Sequence, residues 1–131
     1  MSSLPSTTPM KAYQQIEAEL LPRLRLSSGY REGVAKRVLQ LTIYHWPTVL
    51  MPAIDSVANQ EVRRVLCEST AKIVKEDYQR RYGTSSIWMI FVGIAIQYAI
   101  KLLLEWWTRA DKRPLILQAH HEMRSAERAN F

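Results

Sequence analysis

Few residues in this 131-residue chain have types and spacings that could do chemistry. His120 and His121 are adjacent. On a helix they project about 100° apart and cannot share a metal as an i,i+4 pair would. With only His45 and Cys67 elsewhere, zinc-ligand spacing is missing, and the histidines read as surface or interfacial side chains. Cys67 has no local base to make it a nucleophile and reads as a small buried residue. Gly29 and Gly33 are four apart, which matches neither a dinucleotide-binding turn nor a P-loop. No catalytic residue, metal site or cofactor site is expected, and no small-molecule substrate. The chain reads as a non-enzyme.

Two basic pairs, Arg63–Arg64 and Arg80–Arg81, raise nucleic-acid binding, but Glu61, Glu68, Glu76 and Asp77 interrupt them. A mixed helix with some i,i+4 pairing is the ordinary meaning of that pattern, and no nucleic acid is expected as a partner. Cys67 is the sole cysteine, so a disulfide-stapled secreted scaffold is excluded.

The dominant feature is SSIWMIFVGIAIQYAIKLLLEWW at 85–107, with ten apolar or glycine residues in a row from Ile87 to Ile96. From Trp88 to Trp106 a helix rises roughly 27 Å, close to the about 30 Å of a bilayer's hydrocarbon core. Tyr82 and Trp88 at one end, and Trp106 and Trp107 at the other, stand where interfacial aromatic anchors belong. Outside them lie Arg80 and Arg81 on one side and Arg109, Lys112 and Arg113 on the other, positions suited to anionic lipid headgroups. Gly93, Gln97, Lys101 and Glu105 follow one another at intervals of four and read as a contact stripe for another transmembrane helix, with Lys101 and Glu105 able to pair. Counting basic residues on the two flanks gives no orientation.

Around this segment the chain reads as all-α. Residues 1–8 form a flexible arm; the first sixteen residues carry no acid, as in organellar targeting segments, but their arginines are missing. Residues 9–83 form a helical extramembrane region. Thr8 and Pro9 suit a helix start, with the helix stopping before Pro22 and 23–29 an irregular connector. A second helix from Tyr30 closes at Pro47, and the apolar stretch with Pro47 and Pro52 reads as a buried or interfacial bend. A third helix, capped by Asp55 or Ser56, runs to Gly83 with apolar residues on two sides. Residues 84–108 form the transmembrane helix, and 109–131 a basic linker and amphipathic C-terminal helix with Ile116, Ala119, Met123 and Ala126 on one face.

The net charge of +6 comprises +4 over residues 1–86, none over 87–107 and +2 over 108–131, so both flanks are basic. Together these features lead to one expectation: a single-pass, non-catalytic accessory or assembly subunit of a larger membrane protein complex, whose partners are other subunits and anionic lipids. The mitochondrial inner membrane, in a respiratory-chain or ATP synthase complex, is the expected location. The rival readings are a soluble helical adaptor whose 87–107 helix is covered by a partner or a second copy, a small membrane-active pore former, and a basic nucleic-acid-binding module.

Overall fold

The structure, a computed structural model, describes residues 10–28, 32–50 and 59–129. Every regular element among them is α-helical: α1 Lys11–Ser28, α2 Glu32–Leu50, α3 Gln60–Tyr82, α4 Ser86–Trp107 and α5 Arg113–Ala129. The expected arm over 1–8, the start at Thr8 and Pro9, the bend at Pro52 and the caps at Asp55 or Ser56 lie outside the described residues.

α1 buries Tyr13, Ile16, Leu20, Leu21 and Leu24 at helical spacing. It does not stop before Pro22, and 23–28 is helix rather than connector. Proline removes one backbone donor, which frees the carbonyl of Ala18 four residues earlier. Ala18 and Pro22 are both exposed, so that carbonyl meets water, while the leucines on either side hold the helix to the core. At its N-terminus, Ala12 and Tyr13 donate their backbone N–H groups to the carboxylate of Glu122 on α5, each at 3.2 Å. A buried carboxylate from another helix thus caps α1 and complements its dipole.

α2 meets the other four helices, as does α4. Its buried residues, among them Ala35, Val38, Leu39, Leu41, Ile43 and Trp46, spread over more than half its circumference. It too runs through an expected stop, continuing past Pro47 to Leu50. Pro47 cannot donate to the carbonyl of Ile43. Here the side chain of His120 on α5 substitutes, with Nδ1 3.3 Å from that oxygen. Because a carbonyl only accepts, Nδ1 carries the proton.

α3 begins at Asn59, whose side-chain oxygen accepts from the N–H groups of Glu61 (2.9 Å) and Val62 (3.2 Å). It ends at Gly83, where φ is 57°, the left-handed conformation that favours glycine. Residues 83–85 turn the chain into α4, which runs back along α3. Of the two apolar sides expected on α3, the one with Val74 and Tyr78 is buried, with Cys67 and Ala71 partly so, while Leu66, which belongs to the opposite side, is also partly buried. Val65 and Ile73 on the other side are exposed.

α5 carries Pro114 at its second residue, where the missing donor loses nothing. Ile116 and Ala119 are buried and Met123 packs against the core, as the sequence pattern implies. Arg113 donates through Nε to the carbonyl of Trp107 at 2.7 Å and covers its indole, 5.0 Å from the ring centre.

Candidate functional site

α4 is the one helix among the described residues long and apolar enough to cross a membrane, a test that the core helix of a soluble bundle also passes. A little under half of its most apolar stretch is buried by the bundle. Successive residues advance about 100°. On that wheel Met89, Val92, Ala95, Ile96, Ala99, Ile100, Leu103, Trp106 and Trp107 fall on one side, and all are buried. Opposite them, Ile87 (71% exposed), Ile90 (63%), Phe91, Ile94 and Tyr98 face outward, with Trp88 (61%) at the margin and its ring 5.7 Å from that of Phe91. This is a contiguous apolar strip on a folded surface, confined to the first half of the helix. The second half of the outward face carries Lys101 and Glu105.

The expected contact stripe is distributed differently. A spacing of four advances about 40° more than one turn, so a run of fours spirals around the helix. Gly93 is half-buried against α3, while Gln97, Lys101 and Glu105 are exposed. Glu105 pairs with Arg23 of α1 at 3.2 Å. Of the aromatic residues expected as anchors, Trp88 is exposed and Tyr82 partly so. Trp106 and Trp107 are inside the bundle, 3% and 0% exposed.

The cations expected at lipid headgroups are engaged within the chain. Arg80 Nη2 and Arg81 Nε donate to one oxygen of Asp77 at 2.5 Å and 2.8 Å, and Arg81 also reaches Glu127 at 3.0 Å. Arg109 pairs with Asp111, Lys112 with Glu19 while lying over Trp106, and Arg113 covers Trp107. Lys72, Lys75 and Lys101, by contrast, are exposed and have no ion pair among the described residues. All three border the open groove where α3 lies along α4. One stretch of that groove, about 450 Å³, is lined by Lys72, Lys75, Ile90, Gly93 and Ile94; the next, about 490 Å³, by Cys67, Tyr98 and Lys101.

No family model, curated protein or solved structure matches this chain. Its function must therefore be argued from its own surface.

A second region draws polar residues together, at the junction of α2, α3 and α5. Asp77, 4% exposed, receives His45 Nε2 at 2.7 Å on the oxygen that its arginines leave free. Burial pushes the Asp77 carboxyl up, but the hydrogen bonds from His45, Arg81 and Arg80 outweigh it and hold its pKa below the ordinary value. Glu127 is held low, first by a hydrogen bond from Tyr44 and then by Arg81. His120 is held low by burial, against its bonds to α2 carbonyls. Arg124 lies 4.1 Å over the Tyr44 ring and reaches Thr48 at 3.2 Å. An open cavity of about 340 Å³ adjoins the junction, lined by Tyr44, Arg81, Tyr82, Met123 and Glu127 among others. Its charged groups already neutralise one another, so the arrangement ties three helices together. Sequence reasoning missed the junction because His45 and Asp77 are 32 residues apart, and Pro47 was the one local sign that Ile43 needs a foreign donor.

No group of three or more histidine, cysteine, aspartate or glutamate residues that could hold a metal occurs among the described residues.

Proposed function

We propose that this chain is a non-catalytic accessory subunit that joins a larger membrane protein complex, with the outward face of α4 as its attachment surface. The observation that carries this reading is the strip Ile87, Trp88, Ile90, Phe91 and Ile94, exposed on a helix whose opposite face is fully used by the core. Contiguous exposed apolar surface of this kind marks interaction sites on folded proteins. The engaged charges at the α2–α3–α5 junction support the non-catalytic part.

In its stronger form the proposal has α4 cross the bilayer as a single span, with the mitochondrial inner membrane as its location. The acid-free N-terminal segment and the basic flanks support the location. Spanning requires α4 to leave the bundle and bare the faces of α1, α2, α3 and α5 that it covers. Each large apolar side chain so exposed to water costs about 1.5–3 kcal/mol.

A second reading is a soluble helical adaptor, favoured by α3. That helix exposes Lys72, Lys75, Glu76 and Arg80 beside α4, and such a face belongs in water.

The test is to express the tagged chain, isolate membranes, solubilise them in mild detergent and measure particle size on a native gel. The accessory reading predicts membrane recovery in an assembly far larger than the 15.2 kDa chain, lost in Ile90→Arg. A chain that stays in the soluble fraction as a monomer contradicts it.

A further inference from the structure

We infer that the outward face of α4 lies flat on an anionic lipid bilayer, with Lys72, Lys75 and Lys101 as its headgroup contacts. The inference rests on the reading of that face as the surface that attaches the chain at the membrane, takes α4 as lying on the bilayer in place of spanning it, and names what the face meets.

The first argument is length. The outward apolar strip runs from Ile87 to Tyr98, eleven steps or about 17 Å of helix, and Lys101 and Glu105 follow it. That falls short of the about 30 Å needed to cross a hydrocarbon core, yet it matches a helix buried about 5–10 Å into the headgroup and acyl boundary. The second is side-chain type. Trp88 and Tyr98 each join an apolar ring to one polar atom, the combination best accommodated at a lipid–water interface, and the isoleucines between them supply apolar area.

Charge is the third argument and selects the occupant. The ammonium groups of Lys72 and Lys75, without an ion pair among the described residues, stand on α3 along one edge of the strip, and Lys101 stands at its end. Glu76 shares a recess with Lys75 and Arg80 beside the start of α4, and Glu105 is paired with Arg23. Basic groups along one edge and at one end of an apolar strip are complementary to anionic headgroups over acyl chains. The headgroup contacts therefore differ from the flanking arginines, which are tied to Asp77, Glu127, Asp111 and the Trp107 carbonyl.

The experiment is flotation of the purified full chain with vesicles of pure phosphatidylcholine and of phosphatidylcholine mixed with phosphatidylglycerol. The chain is expected to float with the mixed vesicles, less so as salt rises, and hardly at all with the neutral ones. Lys72→Gln and Lys75→Gln should each weaken binding about fivefold, and Ile90→Asp should abolish it. These sites are exposed, so the variants should fold. Lys11→Gln and Arg25→Gln on α1 remove the same charge elsewhere and should leave binding unchanged. Equal loss from the α1 variants would show attraction to net charge alone and overturn the inference. Absence of flotation also overturns it. If cellular membrane recovery and the large assembly then persist, the contact is a protein and the accessory reading stands; if these fail too, both readings fall. A dimer in solution that Ile90→Asp dissociates, without vesicle binding, identifies a second copy as the occupant and overturns the inference as well.

Discussion

The two halves of α4 differ in sequence and in surroundings: the first, 86–96, carries no charge or amide, while the second, 97–107, carries Gln97, Lys101 and Glu105. The C-terminal half is the more enclosed, with only polar side chains and Tyr98 left exposed: α1 reaches it through Arg23, α5 begins over Trp107, and Lys112 lies on Trp106. The N-terminal half is enclosed on one side only, and Ile87, Trp88 and Ile90 remain in the open. Hydropathy averaged over the whole helix hides this difference, since it merges the two halves, sums both faces and takes no account of neighbours. The difference assigns stability to one end of the helix and attachment to the other.

Paired tryptophan variants test that assignment most strongly. Trp107→Ala should lower unfolding free energy by about 3–5 kcal/mol in urea denaturation, as expected for a fully buried aromatic side chain. Trp88→Ala should stay within about 0.5 kcal/mol of the native chain. Equal losses would break the comparison.

The α2–α3–α5 junction belongs with the enclosed region. Asp77→Ala takes the shared acceptor from His45, Arg80 and the Nε of Arg81, leaving Arg81 only Glu127, and should cost about 2–3 kcal/mol, read as a shift in the urea midpoint with unchanged slope. Next comes His120→Ala, which should cost about 1 kcal/mol by leaving the Ile43 carbonyl without a donor. Pro47→Ala restores a backbone N–H at the position that would serve that carbonyl. The double variant should therefore recover part of the loss, and strictly additive effects would refute the link.

Acid should weaken this region gradually. Asp77, Glu127 and His120 all have folded pKa values below their ordinary ones. For such groups the unfolded chain takes protons first, so their contribution is complete above the ordinary pKa and is lost as pH falls through the folded one. Stability should begin to fall below about pH 6.5 through His120, and further below about pH 4 through the carboxylates. The first phase should vanish in His120→Gln. The smallest effect is expected at the open end, where Trp88→Ala should leave the acid profile unchanged.

Much of the helical layout was legible because its signals are local. Gly83 ends α3, Pro114 opens α5, and the apolar run marks α4 within a residue of its observed start. Pro22 and Pro47 misled for one physical reason: a proline stops a helix only when its freed carbonyl finds no other partner. Water serves Ala18 and His120 serves Ile43, and the second solution lies 77 residues away. The same limit hid Glu122 as the cap of α1, at a separation of about 110 residues. On the surface, the sequence shows cations beside an apolar segment without showing which are already paired. Arg80 and Lys75 look alike there, and only their neighbours in the fold distinguish them.

The most direct measurement is the fluorescence of Trp88 on membranes. Trp46, Trp106 and Trp107 are buried, so contact with acyl chains through the outward face should be reported by Trp88. Vesicles of brominated phosphatidylcholine and phosphatidylglycerol should quench the native chain clearly more than Trp88→Phe. Equal quenching of the two, or none in either, would contradict attachment through this face of α4.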